Sequence, residues 1–448
     1  MTRRWAAGFA TFVGLSIGGG IVGFPPPVAG IEAAIGESGK AGPVASGDAV
    51  PLAAEGAGTA SDVRNALAGL PSPPGRHIDK LRVLGRNTWL DLGRPAADPK
   101  WGRARGRSWT ANMAFAPSLE GAFLFGEGVH GWYNAGTGRY MDGLWLYDVM
   151  AHRWINVYPG TDVRNPPELI VNRDGFVALP DGRPIPIATM VHGYQMTTWD
   201  PVTKRFMAMP NRHGYYKSAL PGVAAFIEAN RARIRTERAS PWFYDMTEGR
   251  WGRLKTRRFG PSSGYGDTLI YVPSMNKTFF RRKNRIWFYD AGANRWTPAS
   301  PLGLEPPFGI DATSCYDPKR GRIYIGGGSY PVAAGPNALW IYDLARNRWI
   351  DPRPSGVRIG NSYGTNSAMM HCDLANDVVL LFRHKGSMRG IYAYDPNGNA
   401  WSVVATDFPE EWSGRNVANG FYHPGLGIHF FHVAGNSRDN GRIFAYRY

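Results

Sequence analysis

Thiol and imidazole side chains occur together at two similar places in the sequence. Cys315 opens CYDPKRGRIYI and His371 and Cys372 open HCDLANDVVLL, so aligning Asp317 with Asp373 gives Cys315 and His371 the same position. Thiolate and imidazole are ligands that zinc prefers, and a structural zinc held by these three residues is one interpretation. The two cysteines, the only ones in the chain, could instead form a disulfide or remain as two small buried thiols.

A tyrosine and an arginine lie where they could act on a uronate. Tyr265, in SSGYGDTLIY, is predicted to begin one strand, and Arg281, in FFRRKNR, to end the next. Eliminative cleavage of a uronate polymer needs a cation that neutralises the carboxylate and a base that removes the α-proton. Arginine is a bidentate carboxylate clamp, and nearby positive charge favours the ionised form of tyrosine. Alternatively, Tyr265 is a strand aromatic and Arg281 belongs to a solvated basic patch.

Two histidines stand beside glycine and aromatic residues, in GEGVHGWYN (His130) and IPIATMVHGYQ (His192). Aromatic rings stack on sugar faces and imidazole hydrogen-bonds hydroxyls or carboxylates, so both segments suit glycan recognition. His130 and His192 therefore join Tyr265 and Arg281 as the predicted catalytic set, the alternative being that each histidine bonds loop carbonyls. Four further residues are predicted to bind substrate: Tyr194, His213, Tyr215 and Arg231.

The elements that would position these residues come from an internal repeat. Five segments read YDVMAHRW, YDMTEGRW, YDAGANRW, YDLARNRW and YDPNGNAW. Each follows a short alternating apolar run, so the tyrosine and aspartate close one strand, the polar residues turn, and the tryptophan opens the next strand. A second hairpin precedes each segment. Two hairpins make a four-stranded antiparallel unit, and such units repeated around an axis form a β-propeller.

The two ends of the repeat region predict how the ring closes. The last unit, up to Tyr448, supplies three strands, whereas RNTWLDLGR (Arg86–Arg94) is a fourth strand without the first three. An N-terminal strand that completes the C-terminal blade explains both and removes exposed sheet edges. We therefore predict an all-β fold, a propeller of four-stranded antiparallel blades.

Six blades are favoured by the pairing of hairpins. A seventh would result if WDPVTKRF were the turn between the third and fourth strands of an extra blade. The segment that would then have to form strands, Ser218–Arg238, has a helical pattern. Within it, Ala224–Arg238 is predicted to be a basic helical insertion instead.

Composition and charge limit the function classes. The chain is 43% hydrophobic and 13% aromatic, which excludes an intrinsically disordered protein. A formal net charge of +16 makes the surface attractive to polyanions such as nucleic acid, anionic lipid or acidic polysaccharide.

The N-terminus narrows this choice. MTRR, the apolar run Trp5–Phe24 and PPPVAG resemble the zones of an export signal, which predicts a secreted or periplasmic protein. The run is also long enough to span a bilayer if it is retained as an anchor. We expect a signal or anchor over residues 1–30, a flexible Ala/Gly/Pro-rich linker over 31–80 and the propeller over 81–448. Export argues against nucleic acid and leaves an acidic polysaccharide or cell-surface glycan as the partner of a monomeric protein.

The repeat resembles a known group of proteins. The hairpin pairs ending in YD…N.W, the glycine cluster of YIGGG and the N-terminal strand closure resemble the Kelch and galactose-oxidase-type propellers. The His, Tyr and Arg set on a basic, exported propeller also resembles the propeller-type polysaccharide lyases, of which ulvan lyases are an example. This likeness implies β-elimination at the mouth of the propeller and a structural zinc nearby, with His130, Tyr265 and Arg281 matching the family's roles. A second histidine about twenty residues before His130 is absent from this sequence. A non-catalytic propeller that binds a glycan or a protein through the same mouth is the alternative.

Overall fold

Six antiparallel sheets of four strands each make up the fold in the computed structural model. The structure describes residues 60–448 except for 127–130, 188–191, 210–213, 235–239, 254, 257–265, 305, 307–310, 329–338, 361–362, 387 and 413–416. The side chains of residues 60–62 and 214–215 are likewise not described. The predicted signal or anchor and His130, His213 and Tyr265 therefore lie outside the described residues, as does the side chain of Tyr215.

The strands are numbered in chain order, and each blade is given from the axis outwards. Blade 6 contains the first strand of the chain, β1 (Thr88–Gly93). Blade 1 consists of β2 (Ala114–Ala116), β3 (Gly121–Leu124), β6 (Leu144–Asp148) and β7 (Arg153–Tyr158), with a hairpin of β4 (Tyr133–Asn134) and β5 (Arg139–Tyr140) inserted after β3. A hairpin of β8 (Ile170–Val171) and β9 (Val177–Ala178) precedes blade 2, which consists of β10 (Thr197–Asp200), β11 (Arg205–Ala208), β12 (Trp242–Asp245) and β13 (Arg250–Arg253).

The remaining blades have shorter connections. Blade 3 consists of β14 (Thr268–Val272), β15 (Lys277–Arg282), β16 (Arg285–Asp290) and β17 (Arg295–Ala299). Blade 4 consists of β18 (Thr313–Asp317), β19 (Arg322–Gly326), β20 (Leu339–Asp343) and β21 (Arg348–Ile350). A short strand, β22 (Ser355–Gly356), is added in parallel to the edge of blade 5, whose other strands are β23 (Ala368–Asp373), β24 (Val378–Arg383), β25 (Gly390–Asp395) and β26 (Ala400–Ala405). Blade 6 consists of β27 (Val417–His423), β28 (Ile428–Ala434) and β29 (Arg442–Arg447), followed by β1.

The predicted closure and blade number are confirmed. β1 pairs antiparallel with β29, with Trp89 opposite Tyr446, so the first strand of the chain completes the last blade. The hairpin of β10 and β11, which contains WDPVTKRF, forms the inner half of blade 2. The alternative of a seventh blade is therefore wrong, because this turn joins the first and second strands of a blade and not the third and fourth.

The repeated tyrosine and tryptophan pack on each other in every blade. The tyrosine near the end of the third strand faces the tryptophan that opens the fourth, with ring centroids between 4.7 and 5.5 Å apart. The aspartate that follows the tyrosine accepts backbone N–H bonds from the turn, as Asp343 does from Arg346 at 2.9 Å. Such a bond holds the turn closed.

The asparagine of the repeat joins neighbouring blades. Tyr342 donates its hydroxyl to Asn347 Oδ1 at 2.6 Å, and Asn347 Nδ2 donates to the carbonyl of Ser300, which follows blade 3, at 3.0 Å. Asn347 has a φ of 46°, a left-handed conformation that asparagine tolerates better than most residues. In blade 2 a glycine occupies this turn position, and Tyr244 instead donates directly to the carbonyl of Val157 at 3.1 Å. The repeat therefore encodes the contact between blades as well as the turn.

The first strands of the six blades form an inner ring. Each of β2, β10, β14, β18, β23 and β27 contacts the first strands of the two neighbouring blades. We call the end of this ring at which these strands begin the mouth. It is built by the segments that enter the first strands and by the connections between second and third strands.

The helices in the described part of the chain are short and lie outside the blades. They are α1 (Ala60–Ala68), α2 (His77–Arg82) and α3 (Pro221–Ala229), with single 3-10 turns at Pro117–Leu119, Gly214–Ser218 and Pro273–Met275. Leu67 of α1 and Ile78 and Leu81 of α2 are buried against blade cores, although this segment falls largely within the predicted linker. α3 lies between β11 and β12, where the helical insertion was predicted. None of the described helices has the length and apolar character needed to span a bilayer.

Candidate functional site

The floor of the mouth is tied together by polar side chains of the inner ring. Gln195, just before β10, receives a bond from the Ser314 amide at 2.8 Å and donates to the Ser314 carbonyl, so it reaches past blade 3 to blade 4. Asn419 of β27 donates to the carbonyls of Arg107 at 2.8 Å and Thr110 at 2.6 Å. These bonds tie the entry of blade 2 to blade 4 and the entry of blade 1 to blade 6, so the entry segments are positioned by other blades of the ring.

Three of these entry segments contain a residue in the left-handed backbone region. Trp109, Tyr194 and Asp311 have φ values of 54°, 44° and 70°. Hydrogen bonds between neighbouring entry segments hold this shape: Tyr194 N donates to Trp109 O at 2.7 Å, and Asp311 N to Gly266 O at 3.2 Å. Each such non-glycine residue costs about 1–3 kcal/mol, and backbone strain of this kind clusters at functional sites. Residues such as Asn347 have the same conformation in the hairpin turns, so the mouth becomes the candidate site through this backbone geometry together with the side chains described next.

An aromatic cluster with a histidine lies at this position. The His192 ring is 6.2 Å from the Trp109 ring and 5.5 Å from the Tyr194 ring. His192 and Tyr194 are both only 3% exposed, whereas Trp109 is 39% exposed. The two buried rings thus support an exposed indole, which can stack on an apolar face of a ligand. The proximity of His192 and Tyr194 was expected from the sequence, but Trp109 was not predicted as a binding residue.

A buried carboxyl group lies on the next part of the mouth. Asp311 is 2% exposed and accepts a hydrogen bond from the Thr365 amide at 3.1 Å and another from the Thr365 hydroxyl. Burial raises the pKa of Asp311 to about 6, with the Thr365 bonds acting in the opposite direction. Its ionisation therefore changes the charge of the mouth slightly below neutral pH. The sequence offered no signal for Asp311, because its environment is supplied by blade 5.

Arg281 is not placed to clamp a ligand. It is 0% exposed, and its guanidinium donates to the carbonyl of Lys283 at 3.0 Å and to the carbonyl of Gly266 and the hydroxyl of Thr268, both at 3.4 Å. Burial lowers the pKa of Arg281 to about 10, which leaves it charged at neutral pH. In this arrangement Arg281 fastens the entry of β14 to the end of β15. A substrate carboxylate could reach it only by displacing those partners, so the structure gives no support to the predicted clamp.

Arg231 lies outside this cluster. It follows α3 in the long connection between β11 and β12 and forms an exposed ion pair with Glu228 at 3.4 Å. α3 packs through Val223 and Ile227 against the segment that leads from blade 1 to blade 2.

The two cysteines form a disulfide, which corrects the zinc prediction. Cys315 of β18 and Cys372 of β23 are bonded across neighbouring inner strands, with Cα atoms 5.5 Å apart. Successive side chains of a strand point to opposite faces, so His371 and Cys372 face different blades. His371 faces blade 6, where its Nδ1 donates to His429 Nδ1 at 3.1 Å. The three predicted ligands do not converge, and the described residues contain no group of three or more His, Cys, Asp or Glu side chains that could hold a metal ion.

His371 instead belongs to a buried hydrogen-bond network between the inner strands of blades 5 and 6. His429 Nε2 donates to Asp373 Oδ2 at 3.0 Å, and Tyr422 donates to Asp373 Oδ1 at 3.2 Å. Burial holds the pKa of His371 well below its usual range and also lowers that of His429, so both rings are neutral at neutral pH. Asp373 lies at the opposite end of β23 from the mouth. This network therefore belongs to the packing of the inner ring and not to the candidate site.

Arginines line a small pocket beside the mouth. Arg103, Arg105 and Arg107, from the segment that leads from β1 to β2, meet Arg139 of β5 around a cavity of about 50 Å³. No Asp or Glu is among the described residues that line it. The sequence contains the run RARGR, Arg103 to Arg107, but Arg139 joins it only through the packing of the β4–β5 hairpin.

Comparisons with known proteins do not identify a family. No protein-family model matches the chain, and no curated protein is similar in sequence. The resemblance to Kelch propellers and to polysaccharide lyases therefore stays a prediction from the quoted residues.

Proposed function

We propose that this β-propeller binds an acidic polysaccharide or cell-surface glycan at its mouth and works as an exported, monomeric protein. The observation that carries the proposal is Trp109, a large aromatic side chain left 39% exposed at the mouth on a left-handed backbone. Hydrogen bonds between the entry segments hold this backbone, but they give no reason to place a large apolar side chain there in contact with solvent. A role in contacting a ligand explains both its exposure and its fixed orientation.

Charge and covalent structure support the same reading. The net charge of +16 favours an anionic partner, and arginines lie beside the mouth. The disulfide between Cys315 and Cys372 is consistent with an oxidising compartment, which is what the predicted export of the protein requires. The recurring Tyr-Asp and Trp positions support placing the chain among Kelch-like propellers, a fold that serves binding proteins and enzymes alike.

A second candidate, β-elimination of a uronate polymer, is favoured by one observation. The His192 ring lies beside exposed Trp109, so a sugar stacked on the indole would have an imidazole nearby. His130 and Tyr265, the other predicted members of the catalytic set, lie outside the described residues, and Arg281 is buried. Binding without cleavage is accordingly the function that the described geometry supports best.

Binding measurements with purified protein test the proposal. We expect wild type to bind a polyuronate or a sulfated polysaccharide, and Trp109→Gly to lose at least tenfold in affinity while keeping its fold. Equal affinity of wild type and variant, or binding of uncharged polysaccharide to the same extent, would refute binding at the mouth. Ultraviolet absorbance of the unsaturated product, followed with the same polymers, tests the second candidate. Activity that survives His192→Gln would remove this histidine from the reaction.

A further inference from the structure

The arginine-lined pocket has features of a site for a small oxyanion. Its cavity volume is about 50 Å³, several times the roughly 10–15 Å³ that one water molecule needs on the same measure. The pocket therefore has room for a compact group such as a carboxylate or a sulfate. It is formed between the segment from β1 to β2 and the insertion between β3 and β6, both of which build the mouth.

Two of the guanidinium groups around it, those of Arg103 and Arg105, use only part of their donors within the described chain. Arg103 donates from Nε to the carbonyl of Pro95 at 2.6 Å, and Arg105 donates from one terminal nitrogen to the carbonyl of Arg438. A guanidinium carries five N–H donors, so most donors of these two side chains are left for a ligand or for water. Both side chains are only partly exposed, which fixes where such a ligand could sit.

Aromatic rings hold the arginines in place. Arg105 lies 5.2 Å above the ring of Trp132, and Arg438 lies 5.9 Å from the same ring. Arg139 lies 5.1 Å above the ring of Trp101 and pairs with Asp162 at 3.3 Å. Stacked guanidinium groups lose little entropy on binding because their planes are already oriented.

The pocket concentrates positive charge. Burial lowers the pKa of Arg105, and the nearby Asp439 only partly offsets this effect. Asp142, behind the pocket, is occupied by bonds from the amide and hydroxyl of Thr161 at 2.7 and 2.6 Å. Arg139 is paired with Asp162, but the described residues that line the pocket include no carboxylate. A bound anion would therefore add a counter-charge on the side where Arg103 and Arg105 face the cavity.

We propose that this pocket, lined by Arg103, Arg105 and Arg139, is an oxyanion subsite that receives a carboxylate or sulfate group of the bound polymer. The proposal rests on the proposed function and specifies which chemical group the protein recognises. Trp109 is four positions after Arg105 in the sequence, a span of at most about 14 Å in an extended chain. A polymer whose ring stacks on Trp109 could therefore place a substituent of a neighbouring sugar in the pocket.

The test compares Arg103→Gln and Arg105→Gln with Arg295→Gln, which makes the same charge change on exposed strand β17. The probes are inorganic sulfate and acetate at constant ionic strength, a polyuronate with its methyl ester, and sulfated dextran with plain dextran. We expect Arg103→Gln and Arg105→Gln to weaken binding of the charged probes by about tenfold, and Arg295→Gln to change it less than twofold. The uncharged polymers should not bind. The preferred probe distinguishes carboxylate from sulfate as the group recognised.

The outcomes separate this inference from the function on which it rests. If all three arginine variants bind alike while Trp109→Gly abolishes polymer binding, the pocket is not a subsite and the proposed function stands. If sulfate or acetate binding depends on Arg105 but no polymer binds, the pocket stands and the proposed function fails. No binding of any probe to the wild type would overturn both. Unfolding curves of each variant show whether a loss of binding reflects a loss of folded protein.

Discussion

The ring of Trp89 in β1 lies 4.7 Å from the ring of Tyr446 in β29, which joins the first and last strands of the propeller. Trp89 also contacts the rings of Phe408 at 5.7 Å, Trp412 at 5.4 Å and Phe431 at 5.5 Å. This one side chain therefore closes the ring and covers the core between blades 5 and 6.

Trp89→Ala should destabilise the protein by about 3 kcal/mol, the lower end of the range for removing a large aromatic side chain from a core. Chemical denaturation followed by tryptophan fluorescence and circular dichroism measures the change. Trp109→Ala is the matched control, because its indole is exposed and should contribute little to stability. Closure by Trp89 would be in doubt if the two variants were equally stable.

Trp109→Gly should separate stability from binding. Glycine adopts a positive φ without steric cost, so the folded state is relieved of backbone strain. This relief offsets the conformational entropy that glycine adds to the unfolded chain. We expect the free energy of unfolding to stay within about 1 kcal/mol of wild type, while polymer binding falls at least tenfold. A variant that loses several kcal/mol would show that the indole is a core residue and not a ligand contact.

The hydroxyl of Tyr342 should stabilise the contact between blades 3 and 4. Tyr342→Phe removes its bond to Asn347 and should cost about 1 kcal/mol. Tyr316→Phe is the control in the same blade, because the Tyr316 hydroxyl has only an exposed contact of 3.3 Å with Ser274. Urea unfolding of both variants checks this, and equal costs would contradict a role for the repeat in joining blades.

The disulfide should contribute to stability through the chain that it closes. Cys315 and Cys372 are 57 residues apart, which corresponds to about 4 kcal/mol in the loop-entropy model. The double variant Cys315→Ala/Cys372→Ala should lose up to this amount, and reducing agent should destabilise wild type but not the variant. Thiol labelling of unfolded protein provides the direct check: two reactive thiols without prior reduction would show that the bond does not form.

Stability should fall as the pH decreases below about 6.5, the ordinary pKa of histidine. Burial lowers the pKa of His432 to about 3 and, together with His77, that of His152 to about 4. Burial also lowers those of His371, His384 and His429. Between its unfolded and its folded pKa, each histidine takes up a proton in the unfolded chain but not in the folded protein. Each therefore lowers the free energy of unfolding by about 1.4 kcal/mol per pH unit in that range.

Two carboxyl groups act in the opposite direction. Burial raises the pKa values of Asp142 and Asp311 to about 6, so they bind protons more readily in the folded state as the pH falls from 6 to 3.8. The histidines outnumber them, and the net effect should be a loss. His432→Leu should make the free energy of unfolding in urea less pH-dependent between pH 6.5 and 4, because it removes one of these histidines. Neither nitrogen of His432 has a hydrogen-bond partner within the described chain, so the substitution breaks no hydrogen bond there. If the free energy of unfolding changed equally with pH in wild type and variant, His432 would not be a source of the pH dependence.

The sequence by itself determined the repeating unit and the closure of the ring, and it favoured six blades over seven. These features depend on local patterns: a turn that needs aspartate and a left-handed residue, and a strand that needs alternating apolar side chains. These patterns recur along the chain, as at Tyr342 and Trp349. An error in assigning the strands of one copy is therefore exposed by comparison with the other copies. The position of RNTWLDLGR also required no knowledge of packing, because it matched a strand that the last unit lacked.

Only the tertiary structure decided what each candidate residue does. Neighbouring residues of a strand face different blades, so Cys372 meets Cys315 while His371 meets His429, and strand spacing alone does not say which blade each one faces. Arg281 is buried and donates to the carbonyls of Gly266 and Lys283 instead of facing a ligand. The arginine pocket combines the 103–107 segment with Arg139, which another insertion brings to it. Such sites depend on contacts between distant segments, and these contacts are set by the packing of the whole ring.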